Sequence, residues 1–357
     1  MEIKVKSNAL RRERKRVLSK KVVSPDITGD FRICDMMDAF KDMSIQARNL
    51  GLCADVFEQM LTDKDRPTIL LGLAGPLIAG GLRNIIRGMI EHNMVDVIVS
   101  TGAVMYQDIY QARGFSHFKG SPYADDSKLR DLYIDRIYDT YVDEEKFWDT
   151  DEWVGRYADT LERRIYSSRE FISLVGRDCI KDKGSIVRSA YMRGVPIFIP
   201  AINDSSIGIG LTNHYHQAKQ KGVEPITISS IRDNYELTQI VAKSKATAAI
   251  YIAGGVPKNY INDSVVMTYI FNRDTGGHTY AFQITTAVTA DGGLSSSTLD
   301  EAKSWGKVNK RADRAMAWVD PMIGLPLVYG SALQKGTAKK RSRRKIAFTG
   351  DILTKLV

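Results

Sequence analysis

Thr68-Ile-Leu-Leu-Gly-Leu-Ala-Gly75 is a short apolar run that ends in small residues, and it is the first of a series along the chain. Near-continuous apolar strands of this length are typical of a parallel sheet whose two faces are both covered. Helical patterns at 81–93 and 236–245 lie between such runs, and this alternation of strand and helix indicates a doubly wound fold. The other runs are Val95-Asp-Val-Ile-Val-Ser-Thr-Gly, Val195-Pro-Ile-Phe-Ile-Pro-Ala-Ile, Thr247-Ala-Ala-Ile-Tyr-Ile-Ala-Gly-Gly and Thr279-Tyr-Ala-Phe-Gln-Ile-Thr-Thr-Ala.

The predicted fold class is α/β, a doubly wound and mostly parallel Rossmann-like sheet with helices on both faces. Apolar spacing predicts a helix over 30–61, ahead of the first strand. Residues 117–165 are rich in Asp, Glu, Tyr and Trp, and we interpret them as an acidic excursion packed against the sheet. Ligands of doubly wound sheets bind beyond the carboxyl ends of the strands, so the small residues that end each run mark the predicted crevice.

The basic charge lies at the two ends of the chain. The 357 residues carry a net charge of +9, but 1–21 and 331–357 each carry +7, which leaves the remainder at −5. We interpret 1–29 as a basic N-terminal arm and 334–357 as a basic C-terminal tail, both solvated rather than bound to nucleic acid or an acidic protein. The cysteines form no CxxC pair and no apolar run approaches the ~20 residues that span a bilayer, so we expect a cytoplasmic protein without a membrane segment.

Two glycine-bearing strand ends could hold a nucleotide. The loop 72–81 follows the first run and opens a helix, and Ala253-Gly254-Gly255 follows the fourth. Glycine there lets backbone N–H groups approach a phosphate at a helix N-terminus, although neither loop has the GxGxxG pattern. A tight strand-to-helix turn would explain either loop alone, whereas two such ends in one sheet favour a nucleotide. No metal site is predicted, because the histidines form no ligand set.

The stretch from Ser295 to Lys307 predicts a helix with two possible endings. Thr298 and Glu301 have capping-box spacing, so the helix begins there. If it continues, a solvated basic stripe forms along one side from Lys303, Lys307 and Lys310.

Alternatively, Gly306 breaks that helix and turns Lys307 inward. A lysine must be neutral to attack an imine, and at its ordinary pKa of ~10.4 about one molecule in a thousand is neutral near pH 7.4. Burial beside apolar or cationic neighbours lowers that pKa. Trp305 could supply the apolar wall and stack on a substrate cation.

Three segments carry a resemblance to a known family. They are Glu91-His-Asn-Met-Val-Asp-Val-Ile-Val-Ser-Thr101, Ile199-Pro-Ala-Ile-Asn-Asp204-Ser-Ser-Ile-Gly208 and Leu299-Asp-Glu-Ala-Lys-Ser-Trp-Gly-Lys307. In that order they resemble a strand with a Thr-rich NAD loop, a segment with a cofactor-binding Asp, and the active-lysine segment of the deoxyhypusine synthases. The resemblance runs from about residue 30 to 333, and it implies a single NAD-binding catalytic domain over 30–333.

The resemblance implies an NAD-dependent aminobutyl transferase. In that chemistry NAD oxidises spermidine or a related polyamine, 1,3-diaminopropane leaves, and the butylimine is held on an enzyme lysine. An acceptor amine then takes the group and bound NADH reduces the product. The implied acceptor is a lysine of the hypusine-bearing translation factor, and the implied assembly is a homotetramer with active sites at subunit interfaces.

Carried over by position, Lys307 is the imine-forming lysine, and Asn259 stands where the family has a catalytic His. Trp305 and Glu301 would hold the polyamine. The residues implied to lie along NAD are Thr101, Gly102, Asp204, Gly254, Gly255, Ala287, Asp291 and Asp320.

The chain also departs from the family pattern. Ile209 and Leu294 stand where substrate-binding Asp residues are expected, and each charge-assisted contact is worth ~1.5–3 kcal/mol. The substrate therefore sits differently or is different. Further departures are Asn259, Tyr106-Gln107 in place of a paired Glu, and Gly75-Pro76 in the phosphate loop. These features resemble the prokaryotic deoxyhypusine-synthase-like branch, so the alternatives are a putrescine acceptor that gives homospermidine, or a non-catalytic NAD- or polyamine-binding relative.

Overall fold

The computed structural model describes residues 4–5 and 7–357. Its helices are α1 (Asn8–Val17), α2 (Ile33–Phe40), α3 (Ile45–Thr62), α4 (Arg83–Glu91), α5 (Gly102–Ala112), α6 (Asp126–Asp131), α7 (Glu144–Asp159), α8 (Ser168–Asp178), α9 (Ile186–Arg193), α10 (Ser206–Gln220), α11 (Ser230–Lys243), α12 (Gly255–Val266), α13 (Leu299–Ser304) and α14 (Pro321–Lys335). Its strands are β1 (Thr68–Leu73), β2 (Val97–Ser100), β3 (Phe118–Lys119), β4 (Ile134–Ile137), β5 (Thr140–Asp143), β6 (Ile165–Tyr166), β7 (Ile197–Phe198), β8 (Thr227–Ile228), β9 (Thr247–Ile252), β10 (His278–Ile284), β11 (Val308–Ala317), β12 (Ile346–Thr349) and β13 (Ile352–Leu356).

A six-stranded sheet forms the centre of the described part of the chain, in the order β11-β10-β9-β1-β2-β7. Every neighbouring pair in it is parallel. From β1 the chain adds β2 and β7 on one side, and from β9 it adds β10 and β11 on the other side. The strand order therefore reverses between β1 and β9. This arrangement confirms the predicted doubly wound α/β class and places the ligand crevice beyond the carboxyl ends of those two strands.

The alternation of side chains along β1 explains why helices cover both faces. Ile69 and Leu71 belong to the larger core with α3, α4 and α14, whereas Leu70 belongs to the second core with α11 and α12. Successive side chains of a strand point to opposite faces, so an uninterrupted apolar strand requires two cores. This is the physical basis on which the apolar runs predicted a covered sheet.

Several elements differ from their predicted form. The helix predicted over 30–61 is two helices, α2 and α3, separated at 41–44. The strand predicted from Val195 is short, because only Ile197 and Phe198 pair with β2. The sequence analysis does not predict β11, whose amino half contains Lys310, a residue of the alternative helical stripe. That stripe is wrong, because α13 ends at Ser304.

Residues 117–165 form a small unit beside the carboxyl edge of the sheet. β3, β5 and β4 make an antiparallel sheet, and α7 follows it. α7 packs closely on α10, where a Cβ on Gly155 would lie 2.8 Å from the carbonyl oxygen of Gly210. The acidic excursion therefore packs on a helix of the outer layer and leaves its small sheet at the rim of the crevice.

The two ends of the chain are structured. Ser7 caps α1, which is exposed, while residues 1–3 and 6 of the predicted arm lie outside the described part. The C-terminal tail folds onto the rest of the chain at a few buried side chains, while most of its residues stay exposed. Arg341 is buried against Asp96, and the β12–β13 hairpin packs on α11 through the buried Leu353. The charge of Arg341 is neutralised inside the fold, whereas Lys339, Lys340, Lys345 and Lys355 stay exposed, and a count of basic residues does not show this difference.

Within residues 4–5 and 7–357, no helix has the length and apolar character needed to cross a membrane. In the same residues, no group of three His, Cys, Asp or Glu side chains is placed to hold a metal ion.

Candidate active site

Lys307 lies at a sharp turn between α13 and β11. The turn forms because Gly306 adopts φ +70°, a left-handed conformation that glycine reaches without a steric penalty. The Lys307 N–H then donates to the carbonyl of Ala302 at 3.0 Å, which ends the helix. Its side chain is only 15% exposed. The inward-turned alternative for Lys307 is therefore the one that the structure shows.

The ammonium of Lys307 joins a closed polar network on α12. Nζ donates to Oδ1 of Asn259 at 3.2 Å and lies 3.0 Å from Oδ1 of Asp263. Asn259 Nδ2 in turn donates to Oδ2 of Asp263 at 2.8 Å. Asn259 and Asp263 are four residues apart, so they share one face of the helix. The sequence interpretation included Asn259 but missed Asp263, although this i, i+4 spacing was available as a signal.

Trp305 and Glu301 flank the lysine on the other side. The Trp305 ring is 70% exposed, and its centroid lies 5.4 Å from Lys307 Nζ. Glu301 completes the predicted capping box, since its carboxylate accepts from Thr298 N at 2.6 Å and its own N–H donates to Thr298 Oγ1. These hydrogen bonds lower the pKa of Glu301. Glu301 therefore carries a negative charge near the lysines while it also holds the start of α13.

A second lysine in the site was missed by the sequence interpretation. Lys258 is 2% exposed, and its Nζ donates to Gln283 Oε1 at 2.8 Å and to Ser297 Oγ at 3.0 Å. Burial lowers the pKa of Lys258 to about 8. The negative charge of Glu301 acts in the opposite direction, and the positive charge of Lys307 adds a smaller lowering. Its position next to Asn259 was the available signal, but a helical pattern alone does not reveal burial of a lysine.

The loop after β9 is fastened to the segment that precedes α13. A Cβ on Gly254 would lie 2.5 Å from Cα of Ser295, and Gly255 N donates to Ser295 Oγ at 2.9 Å. Gln283 Nε2 donates to the carbonyls of Ala253 and Ser295. The close approach of the two backbones therefore explains why residue 254 is a glycine. The contact between Gly254 and Ser295 aligns the lysine-bearing segment with the crevice.

An open cavity of about 870 Å³ occupies the crevice, toward the upper end of the roughly 300–1,000 Å³ that ligand pockets commonly measure. It extends along the carboxyl ends of β1, β9, β10 and β11 and is bounded by the small antiparallel sheet. Ala253 lines it with φ +61°, a strained backbone state of the kind that clusters at functional sites. Among its other lining residues are Gly75, Gly80, His117, Lys119, Thr286 and Asp320.

The predicted cofactor residues divide into two groups. Asp320 lines the cavity and caps α14 through Met322 N. The hydroxyl of Thr101, at the start of α5, is buried without a hydrogen-bond partner among the described residues. Like Thr101, the remaining ones follow strands at the same edge of the sheet without lining this cavity; they are Gly102, Asp204, Gly254, Gly255, Ala287 and Asp291.

His117 and Gln107 are further residues of this region. Burial lowers the pKa of His117 to about 4, so its ring is neutral, and Nδ1 lies 2.9 Å from Gln111 Nε2. Gln107 Oε1 accepts from Ala79 N at 3.1 Å and thereby holds the loop after β1. Tyr106 is buried, with its hydroxyl donating to the Phe147 carbonyl. Of the two residues that stand where a paired Glu was expected, Gln107 therefore supports the cavity wall and Tyr106 is bonded to α7.

These features define a class of protein: a doubly wound α/β chain with a nucleotide-sized crevice and a recessed lysine paired with polar residues of α12. A sequence model described as deoxyhypusine synthase matches residues 35–332. The chain is 44% identical over 317 residues to the deoxyhypusine synthase-like protein of Chlorobaculum parvum, covering 87% of this chain and 89% of that protein. It is 40% identical over 324 residues to the probable deoxyhypusine synthase 2 of Methanosarcina mazei, covering 90% and 92%.

The chain belongs to the deoxyhypusine synthase family. The deoxyhypusine synthase-like protein of Coxiella burnetii is 43% identical over 339 residues, with 94% of this chain and 95% of that protein covered. A crystal structure of a putative deoxyhypusine synthase from Entamoeba histolytica superposes with a TM-score of 0.60 at 18% identity, and covers 93% of this chain and 100% of that one. The structural likeness supports the fold, and the sequence relatives establish the family.

Proposed function

We propose that this chain is an NAD-dependent aminobutyl transferase that moves the 4-aminobutyl group of spermidine through an imine on Lys307 to an acceptor amine. The observation that supports this most is the placement of Lys307, which Gly306 turns away from solvent into a polar network with Asn259 and Asp263 on α12. A lysine in a solvated stripe would have no such role.

The crevice fits NAD in size and character. Three features suit a dinucleotide: the volume of the cavity, the open space beside the backbone of Gly75, and the hydroxyl of Thr101, which has no hydrogen-bond partner among the described residues. Asp320, Gly75 and Thr101 would hold it, with the loop at Gly254 beside them. Bound NAD would supply the hydride acceptor for oxidation of the donor amine and, once reduced, the hydride for the transferred imine.

The side chains of this chain would perform the transfer itself. Lys307 Nζ attacks the carbon of the oxidised donor, its C=N bond to the enzyme forms, and the bond to 1,3-diaminopropane breaks. Trp305 offers an exposed aromatic face for the cationic chain of the donor. Asn259 orients the lysine through Oδ1 but has no basic group, so it cannot take the proton.

The acceptor is either a lysine of the hypusine-bearing translation factor or a small amine such as putrescine, which would give homospermidine. A basic tail would have favoured an acidic protein partner. Arg341 and Arg344 instead donate inside the fold, to Asp96 and to the carbonyl of Arg66. This observation favours the small acceptor as a second candidate, because these two arginines are not free for docking.

We also propose a homotetramer with its sites at subunit interfaces. Trp305, Ile209 and Leu294 are large apolar side chains that a single chain leaves exposed. Contact with a second subunit would cover them. The mass of the protein in solution, measured by light scattering, would reveal a monomer if this assembly is wrong.

The test of the function is mass spectrometry of products after incubation of pure protein with NAD and spermidine, with and without putrescine. Diaminopropane together with homospermidine would establish transfer to a small amine. Diaminopropane without homospermidine would point to a protein acceptor. Bound NAD with no diaminopropane would rule out spermidine as the donor.

A further inference from the structure

A second cavity lies beyond the carboxyl end of β7, between α10 and the start of α11. Its volume is about 350 Å³, within the roughly 300–1,000 Å³ that ligand pockets commonly measure. None of the described residues that line it also lines the crevice. Its wall is largely apolar and is formed by Pro200, Ile202, Leu211, Ile226 and Ile228. The cavity therefore has the size and the surface to hold a small molecule with an alkyl part.

Asp233 of α11 lines this cavity with a carboxyl group that is incompletely bonded. Its side chain is fully buried, and Oδ1 accepts from the backbone N–H of Arg169 at 3.4 Å. Oδ2 is also buried, and within the described part of the chain it has no hydrogen-bond partner. A buried polar atom without a partner destabilises the fold, so such atoms in native proteins generally have a partner outside the chain. A ligand that donates a hydrogen bond would supply it.

The missing partner is a cation as well as a donor. The nearby guanidinium groups of Arg169 and Arg232 both pair with Glu236, at 2.5 and 3.0 Å. Asp233 itself forms no ion pair with any residue that the structure describes. Burial raises the pKa of Asp233 to about 7, and the charge of Glu236 acts in the same direction. A buried carboxylate is stabilised by an opposite charge, and here a ligand would have to bring it.

The geometry of the carboxyl group favours an ammonium over a guanidinium. A guanidinium binds a carboxylate best through two parallel hydrogen bonds, which require both oxygens, whereas an ammonium can use one. The backbone of Arg169 already occupies Oδ1 of Asp233. Three hydroxyl groups that line the same cavity could accept the remaining ammonium hydrogens; they belong to Thr212, Thr227 and Ser230.

We propose that this second cavity binds a small primary alkylamine, whose ammonium pairs with Asp233 and whose alkyl chain lies on the apolar wall. Binding there is non-covalent. The site is separate from Lys307 and from the crevice, so its occupant is an effector rather than a reactant.

The wall of this cavity is continuous with a segment that we expect to contact the cofactor. Ile202 and Asn203 line the cavity, and Asp204 follows them directly. Ser205 Oγ donates to the carbonyl of Ile202 at 2.7 Å, and it packs so tightly on Gly102 that no Cβ would fit there. An amine in the cavity would brace this segment and should therefore tighten the binding of NAD. This coupling rests on the proposed function, whereas the amine site itself does not.

The first experiment compares butylamine with butan-1-ol, which has the same chain length but no charge. Near pH 8 the amine is a cation and the Asp233 carboxyl is ionised. In titrations followed by saturation-transfer NMR, butylamine should bind the wild type at least about tenfold more tightly than butan-1-ol, and Asp233→Asn should abolish that difference. Asp263→Asn is the control for the carboxylate beside Lys307, and it should bind butylamine as the wild type does.

Equal affinities of the wild type for the two compounds would overturn the inference. So would a loss of butylamine binding in Asp263→Asn but not in Asp233→Asn, because the amine would then lie beside Lys307.

A second pair of variants leaves the buried carboxyl in place. Thr212→Trp fills the cavity from an exposed position of α10, so it should weaken butylamine binding at least about tenfold without disturbing the interior. Asn213→Trp, the next residue and also exposed, does not line the cavity and should bind butylamine as the wild type does. Circular dichroism checks that both variants fold. Undiminished butylamine binding in a folded Thr212→Trp would overturn the inference.

The third experiment measures the dissociation constant of NAD with and without saturating butylamine. We expect a decrease of about threefold or more in the wild type and no change in Thr212→Trp. An NAD affinity that butylamine does not alter would overturn the coupling. Failure of the proposed function looks different, because the chain would then bind butylamine at Asp233 but would not bind NAD at all.

Discussion

Two ion pairs of the fold have opposite character. One lies at the amino ends of β1 and β2, where the side chain of Arg341 is 1% exposed and pairs with Asp96, which Arg66 also binds. The other joins Lys307, which precedes β11, to Asp263 on α12, whose side chain is 43% exposed. A buried pair is costly to break, because either partner alone would be an uncompensated charge, whereas a carboxylate that reaches solvent exchanges partners at lower cost. The fold therefore holds one ion pair fixed in its interior and leaves the other partly open to solvent.

The buried pair also shows what the C-terminal segment contributes. Burial alone would raise the pKa of Asp96, but the hydrogen bonds and charges of Arg66 and Arg341 hold it below its ordinary value. The family match ends at residue 332, so Arg341 belongs to a part of the chain that lies outside it. A segment beyond the shared domain thus completes the charge cluster beneath β1 and β2.

The largest expected effect is at Lys307, in the ion pair that is partly open to solvent. Lys307→Ala removes the proposed nucleophile, and we expect diaminopropane formation to fall by at least about a thousandfold. Borohydride trapping followed by peptide mapping should find the butylimine on Lys307 in the wild type and nowhere in the variant.

Lys303→Ala is the control, because Lys303 lies on the same short helix and pairs with Asp300 at the surface. It should keep activity within about twofold of the wild type. Loss of activity in Lys303→Ala, or retention of it in Lys307→Ala, would contradict the assignment of the nucleophile.

At the buried ion pair, Arg341→Ala should lower the free energy of unfolding by about 3–5 kcal/mol, because it leaves Asp96 buried with one cationic partner fewer. Urea unfolding followed by circular dichroism measures this. The activity per folded molecule should stay unchanged. Lys340→Ala, next in the chain and exposed, should change the unfolding free energy by about 0.5 kcal/mol or less. Equal losses in both variants would mean that the C-terminal segment is held by something other than this ion pair.

Lys258 allows a third kind of test, because it is a buried lysine that forms no ion pair among the described residues. Its pKa is about 8 in the fold and 10.5 in the unfolded chain, so the unfolded state binds the proton more strongly between those values. Stability should therefore rise with pH from about 8 to 10.5, and below pH 8 the full cost of the charge is present. The wild type should gain about 3 kcal/mol relative to Lys258→Met over this range.

The measurement is the unfolding free energy of both proteins at several pH values. Lys303→Met is the matched control, since Lys303 is a partly exposed lysine in an ion pair. Its curve should run parallel to that of the wild type. A parallel curve for Lys258→Met as well would show that Lys258 does not change its proton affinity on folding.

The sequence predicts those features that depend on local pattern. The apolar runs gave the parallel sheet, because both faces of a strand such as β1 are covered. The spacing of Thr298 and Glu301 gave the start of α13. It could not place Arg341 in the interior, because the charge that binds it, Asp96, is 245 residues away. For the same reason, the approach of Asp263 to Lys307 depends on how α12 and β11 pack, which no local pattern contains.

The smallest expected effect connects the local pattern to the site. Thr298→Ala removes the hydroxyl that accepts from Glu301 N, and loss of an N-cap costs about 0.5–2 kcal/mol. Thr298→Ser keeps the hydroxyl and should match the wild type. Because Lys307 follows the last turn of this six-residue helix, fraying of α13 should also reduce kcat severalfold with a smaller change in KM. If Thr298→Ala destabilises the protein but leaves kcat unchanged, then the network on α12, rather than the helix that precedes it, sets the position of Lys307.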